Sequence, residues 1–294
     1  MKNIFKFFPL KKTIKFADLC CGIGGFRLGL ENACKKSGFK SKCVFSSDID
    51  KDCRNTYSKN FNDIPDRDLL QTDIKSVPQH DILFSGFPCQ PFSQAGKRRG
   101  LKDKRANVLL KIIDIIKVKK PGVFLLENVP GVMTENSGQT FKKIIIKLQE
   151  AGYEVSNRII NGINFVPQDR KRIYILGIYK GKKCSGEILQ KIRGYGKRVI
   201  VNEKFYKKER VKHIKVYQGY SYTLTSSMEN SGHIPYIEDE KGFRKITPRE
   251  CARLMGIPDN FILPQDDKTA YKQIGNSVIV PLVEEICMEL LKVI

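Results

Sequence analysis

Cys89 lies in a stretch whose residue types suit covalent chemistry. The stretch reads Gly86-Phe87-Pro88-Cys89-Gln90-Pro91-Phe92-Ser93, and its two prolines restrict the backbone beside the thiol. The apolar run 82–84 precedes it and predicts a buried strand, so the thiol should lie at the strand's carboxyl end, where ligands bind in open α/β sheets. Basic residues at 96–105 follow, and nearby positive charge favours the reactive thiolate. The alternative is an ordinary packed cysteine.

Glu127 and two arginines could act beside this thiol. The apolar run 123–126 predicts a central parallel strand that ends at Glu127, and a carboxylate there is costly unless it is paired or used. One predicted helix joins the strands before Cys89 and Glu127, and a right-handed crossover places both strand ends at the same edge of the sheet. Arg170 and Arg172 alternate, so on an extended chain they share a face.

A glycine-rich turn near the start of the chain has the form of a nucleotide site. The strand 14–19 leads through Cys21-Gly22-Ile23-Gly24-Gly25 into a helix at about 26–36. Glycine allows close backbone approach and the helix start offers free N–H groups, although a plain tight turn would look similar. Asp48 ends the next strand, where an acidic residue commonly binds ribose hydroxyls. It could also cap the helix at 51–60, and the two roles are compatible.

Composition favours a polyanionic partner and a reducing compartment. The 294 residues carry a net charge of +22, and the pI is near 9.6, which points to nucleic acid. Nine cysteines without a C-x-x-C pair fit neither a disulfide framework nor a zinc site, and no metal is expected. No apolar run is long enough to span a membrane, and the N-terminus does not resemble a signal peptide. We therefore expect a cytoplasmic protein.

The order of elements predicts an α/β fold. We expect a Rossmann-like, mostly parallel sheet with helices on both faces, including helices at 107–117 and 141–151. Gly275-Asn276-Ser277-Val278 is predicted to open a last amphipathic helix that runs to Leu291. The region from Lys180 to about Gly242 is basic and lacks clean periodicity. These features predict a catalytic and cofactor-binding domain at 1–179, a small domain at 180–263 and a returning segment at 264–294.

Six motifs stand in register along the chain. They are the glycine turn, G-F-P-C-Q-P-F-S, Glu127-Asn128-Val129, Gln168-x-Arg170-x-Arg172, Arg244 with Thr247-Pro248-Arg249-Glu250 and Arg253-Leu254-x-Gly256, and Gly275-Asn276-Ser277-Val278. Together they give the chain a specific resemblance to bacterial cytosine-5 DNA methyltransferases of the restriction-modification type. The motifs cover nearly the whole chain except about 180–243, where that family places its target-recognition segment. That family often has Phe-Ala where this chain has Cys20-Cys21, and the difference removes an aromatic group beside the cofactor adenine.

The resemblance implies a class I S-adenosylmethionine-dependent methyltransferase that modifies carbon 5 of a flipped cytosine in double-stranded DNA and releases S-adenosylhomocysteine. Cys89 would attack carbon 6, with Glu127 acting at ring nitrogen 3, Arg172 on the base carbonyl oxygen and Arg170 fixing the surrounding backbone. Its implied cofactor residues are Asp18, Cys20, Gly22, Gly24, Gly25, Asp48, Ile49, Asp73, Ile74, Asn276, Ser277 and Val278. The expected DNA contacts are Gln90, Ser93, Lys97, Arg98, Arg99, Lys102, Tyr222, Thr223 and Arg244. A monomer with a cognate restriction endonuclease as functional partner is also expected.

Three other activities fit part of the pattern. The same chemistry on transfer RNA occurs in one branch of the family, although the P-F-S ending of the nucleophile stretch favours DNA. A non-catalytic binding module would leave the intact set of Cys89, Glu127 and Arg172 without a purpose. A nicotinamide-dependent enzyme could use the glycine turn, but it would leave Cys89 and Glu127 unexplained.

Overall fold

A computed structural model describes residues 12–88, 106–179, 185–208 and 214–294. The strands are β1 (Thr13–Leu19), β2 (Lys40–Ser47), β3 (Ile82–Gly86), β4 (Val123–Asn128), β5 (Tyr153–Asn161), β6 (Gln168–Asp169), β7 (Lys171–Tyr179), β8 (Lys204–Lys208), β9 (Ile214–Gln218), β10 (Ser221–Tyr222), β11 (Tyr236–Asp239) and β12 (Gly242–Lys245). The α-helices are α1 (Gly25–Ser37), α2 (Lys51–Phe61), α3 (Ala106–Lys119), α4 (Gln139–Glu150), α5 (Ser185–Lys191), α6 (Pro248–Arg253), α7 (Asp267–Asn276) and α8 (Val280–Leu290).

The main sheet has six strands in the order β2-β1-β3-β4-β7-β5. Strands β2, β1, β3 and β4 are parallel, whereas β7 runs antiparallel to both β4 and β5. The carboxyl ends of the four parallel strands, the start of β7 and the end of β5 therefore meet at one edge of the sheet. We call this the active edge. The predicted mostly parallel α/β fold is confirmed.

Helices cover both faces of the main sheet because alternate strand residues point to opposite sides. Phe16 and Leu125 share a buried cluster with residues of α1 and α8, while Leu83 and Phe124 share another with residues of α3 and α4. Helix α8 packs closely on α1. A Cβ atom at Gly29 would lie 2.5 Å from Val283 Cγ1. The C-terminal helix is thus part of the core beneath the sheet.

A smaller antiparallel sheet in the order β12-β11-β8-β9 spans residues within 204–245. Helix α5 precedes this sheet and packs instead against β5, β7 and α8. The guanidinium Nη1 of Arg158 in β5 donates to the carbonyls of Leu189 and Ile192 at 2.6 and 3.0 Å. Helix α5 and Ile192 therefore contact the main sheet, and the division into domains stays a prediction.

Two local details differ from the sequence analysis. Asp50, not Asp48, caps α2, since its side chain accepts from the N–H groups of Asp52 and Cys53. Gly275 and Asn276 end α7 rather than opening the last helix, which begins at Val280. Helix α7 ends at Asn276, and the extended backbone of Ser277 separates it from α8. The motif is thus a helix-to-helix connection.

Candidate active site

Glu127 lies at the active edge beside the root of the nucleophile stretch. It pairs in register with Gly86 across β4 and β3, and a Cβ atom at Gly86 would be 3.7 Å from Glu127 Oε2. Strand β7, the other neighbour of β4, brings Arg172 close, with its Nε 3.1 Å from Glu127 Oε1. Both side chains are largely buried, at 11% and 14% exposure. The active edge thus holds a carboxyl–guanidinium pair beside Gly86. Gly86 precedes Cys89 by three residues in the sequence.

Burial raises the pKa of Glu127, while the positive charges of Arg172 and then Arg170 oppose that rise. Removal from water disfavours the charged carboxylate more than these two cations favour it. A carboxyl group with a raised pKa can hold a proton nearer to neutral pH than an exposed glutamate can. Glu127 is therefore suited to hydrogen-bond or protonate a ring nitrogen.

The side chain of Asn128 fixes the backbone just before the predicted nucleophile. Its Nδ2 donates to the carbonyl of Phe87 at 3.1 Å, and its Oδ1 accepts from Val129 N–H at 2.8 Å. Asn128 is buried, at 1% exposure, so water does not compete with these bonds. We assigned it no role from the sequence, although its place in the E-N-V motif was a signal. Outside the described residues lie the predicted site residues Cys89, Gln90, Ser93, Lys97, Arg98, Arg99 and Lys102.

Arg170 joins three segments of the backbone at the active edge. Its guanidinium donates to the carbonyls of Leu224 at 2.7 Å, Gly275 at 3.1 Å and Ser277 at 2.7 Å. Arg170 and Arg172 were expected to share a face, yet only Arg172 pairs directly with Glu127 among the described residues. The geometry of Arg170 is that of a residue that organises backbone around the site.

Gln168 and Thr223 fix residues 221–224, which follow strands β8 and β9 of the smaller sheet. The buried Gln168 accepts from Leu224 N–H at 3.1 Å and donates to the carbonyl of Leu254 at 2.8 Å. Thr223 Oγ1 donates to the carbonyl of Asp169 at 2.6 Å, and β10 runs parallel to β6 beside it. Tyr222, in β10, donates its hydroxyl to the carbonyl of His233 at 2.9 Å. These bonds join residues 221–224 to the Q-x-R-x-R motif, and Gln168 had no predicted role.

Each glycine of the predicted cofactor turn has its own structural reason. Gly22 has a φ of +54° and its missing side chain faces open space, so a ligand could approach its backbone. Gly24 has a φ of +86°, and a Cβ atom there would lie 2.3 Å from Phe61. A Cβ atom at Gly25 would lie 2.8 Å from Ser277 Oγ and from Val278 Cγ2. The turn therefore brings the 277–278 segment against the start of α1.

The carboxylates around this turn suit a nucleoside. Asp48 accepts from Gly22 N–H at 2.7 Å and Asp50 N–H at 2.8 Å, which still leaves lone pairs for hydroxyl donors. Burial raises the pKa of Asp48 and of the fully buried Asp18. None of the described residues donates a hydrogen bond to Asp18. A buried carboxyl without a protein partner is unusual and fits a place where a bound group completes the bonding.

The remaining predicted cofactor residues flank the same turn. Ile49 presents an apolar side chain that is 76% exposed directly after Asp48, as a surface for a flat base would. Asp73 accepts from Lys75 N–H at 3.0 Å and caps the short helix Ile74–Ser76. Cys20 is half-buried and has a φ of +53°, while Asn276 is exposed and Ser277 is buried. The residues present therefore fit a nucleoside-bearing cofactor.

The described contacts of Arg244 are with other residues of the protein, although its side chain is 40% exposed. Its Nε lies 2.7 Å from Asp239 Oδ2, and its two terminal nitrogens lie 2.9 Å from the two oxygens of Glu250. Glu250 also forms a capping box with Thr247 at the start of α6. Arg244 thus links the smaller sheet to α6, and its contact with DNA stays a prediction.

We expect Arg244→Gln to lower thermal stability most at neutral pH. The hydrogen bonds from Arg244, with those from Thr247, hold the pKa of Glu250 at about 2. A carboxylate with a lowered pKa stabilises the fold above its ordinary pKa and loses that effect as pH falls toward the lowered value. The melting-temperature difference between wild type and variant should therefore shrink in acid. Arg253→Gln breaks a well-exposed pair with Asp259 and should change less; equal losses at every pH would contradict the assignment.

This fold, with its glycine turn and acidic strand ends, defines an S-adenosylmethionine-dependent methyltransferase. The chain belongs to the C-5 cytosine-specific DNA methylase family, whose model matches residues 14–231 and 186–292. The protein is therefore a DNA cytosine-5 methyltransferase. Of the activities left open by the sequence, the family assignment supports DNA rather than transfer RNA as substrate.

Named relatives agree with this assignment. The chain is 40% identical to Type II methyltransferase M1.ScrFI of Lactococcus lactis subsp. cremoris over 98% of this chain and 81% of the relative. It is 38% identical to Type II methyltransferase M.NlaX of Neisseria lactamica over 94% of this chain and 96% of the relative. The structure of Entamoeba histolytica methyltransferase EhMeth has the same fold, with a TM-score of 0.74 at 21% identity over 96% of this chain and 99% of that one. Within the described ranges, no helix is long and apolar enough to cross a bilayer.

Proposed function

We propose that this methyltransferase modifies cytosine within one specific double-stranded DNA sequence through a covalent Cys89 adduct. The observation that carries the proposal is the Glu127–Arg172 pair, 3.1 Å apart and in register with Gly86 at the root of the Cys89 stretch. A carboxyl, a guanidinium and a nearby thiol are the three groups that activation of a cytosine ring requires. Carbons 5 and 6 are inaccessible in a stacked duplex, so the target base must flip out at a cost of a few kcal/mol.

Cys89 makes carbon 5 reactive. Its thiolate adds to carbon 6, which breaks the aromaticity of the ring and moves electron density to carbon 5. S-adenosylmethionine, when bound, supplies an electrophilic methyl group to that carbon. A base then removes the carbon 5 proton, the electron pair of that bond re-forms the ring double bond, and the Cys89 thiolate leaves.

Glu127 and Arg172 stabilise the charge that this addition creates. The protonated Glu127 donates to ring nitrogen 3, which makes carbon 6 more electrophilic. Arg172 binds the base carbonyl oxygen and holds the Glu127 side chain in place. Arg170 acts on neither atom, because its two terminal nitrogens donate to the carbonyls of Leu224, Gly275 and Ser277.

The glycine turn and its neighbours hold the cofactor. Asp48 binds the ribose hydroxyls, Asp73 lies near the adenine, and Ile49 and Ile74 pack against the adenine ring. The backbone from Asp18 to Gly25 follows the methionine part, with Gly22 as the open position. A direct test is binding of S-adenosylhomocysteine by calorimetry, where Asp48→Asn should weaken affinity. Thermal stability of the free variant is measured in parallel, because the amide also loses one acceptor for the N–H groups of Gly22 and Asp50.

The functional setting follows from the DNA substrate. The enzyme acts as a cytoplasmic monomer and protects DNA against a cognate restriction endonuclease. Bisulfite sequencing of DNA from cells that express this chain tests the proposed activity and reads out the recognised sequence. Methylated cytosines in a single recurring sequence support the proposal. Unmodified DNA, or modification without sequence preference, contradicts it.

Sequence recognition is assigned to residues 180–243. Choice among cytosines requires side chains at base edges in a groove, and this is the one sizeable stretch without family motifs. Transfer of residues 180–243 into a related methyltransferase should carry the recognised sequence with it. The segment can be transferred as a unit because Thr223 and Leu224, near its end, bond to Asp169 and Gln168 at the Q-x-R-x-R motif. Bisulfite sequencing measures the outcome. An active hybrid that keeps its own recognised sequence would locate recognition elsewhere.

A further inference from the structure

An open groove outside the predicted site lies along the edge strand β5. It has a volume of about 440 Å³ and lies between β5 and the residues that follow α5. We call it the β5 groove, defined by Arg158, Asn164, Gln190 and Arg193. Its lining contains two arginines and several amides but no carboxylate. A cavity of this composition favours an anion with several hydrogen-bond acceptors.

The cationic wall of the groove is built on a fixed backbone. The N–H groups of Arg193 and Gly194 donate to the carboxylate of Glu285 in α8, at 2.8 and 3.1 Å. Tyr195 N–H donates to the carbonyl of Asn164 at 3.0 Å. A Cβ atom at Gly194 would lie 2.3 Å from that carbonyl oxygen, so the contact requires glycine. The loop is therefore held to α8 and to the short helix Gly162–Asn164 that follows β5.

This fixed loop presents its side chains outward. Tyr195 is 69% exposed, and Arg193, Lys197 and Arg198 are all exposed. Arg158 is also positioned, since its Nη1 donates to carbonyls at the end of α5. No described residue bonds to the other nitrogens of its guanidinium. The carboxylate of Glu285, which contacts this loop, accepts from the backbone N–H groups of Arg193 and Gly194. The positive charges of the groove thus lack protein counter-ions among the described residues.

The β5 groove adjoins the active edge. Ile160 at the groove pairs in register with Arg172, the partner of Glu127, and Asn161 pairs with Lys171. Neighbouring strands are about 5 Å apart, so the groove begins one strand away from Arg172 and two strands away from Glu127. Duplex DNA carries one phosphate charge per about 1.7 Å of its axis. A duplex that has its target base at Glu127 and runs along this side of the sheet would bring phosphates to the groove.

We propose that the β5 groove and the loop 193–198 bind backbone phosphates of the DNA that flanks the methylated sequence. The inference rests on the DNA methyltransferase activity. It assigns only phosphate contact to the loop 193–198 and leaves the reading of base edges, within the segment 180–243, to the smaller sheet that follows the loop. Phosphate contacts raise affinity for any sequence and carry no sequence information. The groove therefore acts on long DNA, where flanking duplex is available, and leaves methyl transfer on short DNA unchanged.

The test compares two triple variants with equal charge loss. The groove variant replaces Arg193, Lys197 and Arg198 by glutamine. The control variant replaces Lys15, Lys40 and Lys42 by glutamine. These three residues are exposed and lie on β1 and β2, on the side of the main sheet that is farthest from β5. Affinity is measured by fluorescence anisotropy over a range of salt concentrations, with a duplex that ends just beyond the methylated sequence and with a long duplex that contains it. Single-turnover methylation of the short duplex monitors the active site.

For the groove variant, we expect weaker binding to the long duplex and a salt slope reduced by roughly 2 to 3, since each phosphate contact contributes about 0.9. Binding and methylation of the short duplex should match those of wild type, and the control variant should change little on either duplex.

A groove variant that behaves like the control would overturn the proposal. So would equal losses on both duplexes, or a loss seen only with a duplex RNA of the same length. Loss of inorganic pyrophosphate binding by the groove variant, at constant ionic strength and with unchanged long-duplex affinity, would assign the groove to a free phosphate ligand instead. Failure of wild type to methylate the short duplex would instead count against the proposed function.

Discussion

Cys89→Ser is expected to abolish methyl transfer while the protein keeps its cofactor. A serine hydroxyl is far less ionised at neutral pH than a thiol beside positive charge, so addition to carbon 6 fails. We expect transfer from labelled S-adenosylmethionine to fall by at least about three orders of magnitude. Binding of S-adenosylhomocysteine should remain near the wild-type value, because the proposed cofactor residues lie along β1, β2 and α7. Retention of substantial activity would exclude Cys89 as nucleophile.

The covalent step has a separate chemical signature. In DNA that contains 5-fluorocytosine at the target, fluorine cannot leave carbon 5 as a proton does, so elimination of the enzyme is blocked. Wild-type protein should form an adduct with this DNA that survives denaturation, and Cys89→Ser should form none. A Cys-to-Ser change at Cys251, which is buried in α6, supplies a control at another cysteine. If bound wild-type protein gave no adduct, the covalent mechanism would be wrong.

The strands that position the candidate site were predictable because their signals are local. The continuous apolar run before Glu127 is a strand buried on both faces, and all six residues of β4 are buried. The crossover rule then placed its end beside the strand before Cys89, and the register of Gly86 with Glu127 confirms that neighbourhood. Short-range patterns and a handedness rule were enough for this part of the fold.

The contacts of Arg244 and Arg170 could not be predicted, because the sequence does not mark which partners their guanidinium groups bind. Arg244 lies in a family motif and could as well face DNA, but its nearest described charges are Asp239 and Glu250. Arg170 spans 105 and 107 positions to reach the carbonyls of Gly275 and Ser277. Backbone carbonyls exist at every position, so the sequence carries no mark of which ones a guanidinium will bind.

The smaller sheet and β5 were missed for a different reason. Strand β5 mixes exposed and half-buried residues without strict alternation, because it is an edge strand with α5 packed against it. The strands at 204–245 are short and contain many lysines and tyrosines, whose long side chains cover apolar surface while their polar ends remain in water. Such strands have no clear period, so only their pairing reveals them.

Glu127 offers the sharpest test of acid catalysis at the active edge. Its pKa is raised by burial despite the attraction of Arg172 and Arg170. Wild-type activity should therefore fall as pH rises through this raised pKa, because the proton that assists ring nitrogen 3 is lost. The stability effect has the same direction. The stability contributed by neutral Glu127 is full below its ordinary pKa and is lost as pH rises through the raised one.

Glu127→Gln should lower the single-turnover rate of methylation by about 10²–10⁴ and flatten the basic limb of its pH profile. The amide has the size of the acid and can donate a hydrogen bond, but it cannot transfer a proton. Cofactor affinity should be unchanged, and Glu150→Gln at an exposed position on α4 is the matched control for loss of one carboxyl. Single-turnover rates across a pH series, with DNA affinity measured in parallel, separate chemistry from binding. If the variant kept the wild-type rate and its pH dependence, the proton would come from another group, and Glu127 would serve only to orient Arg172.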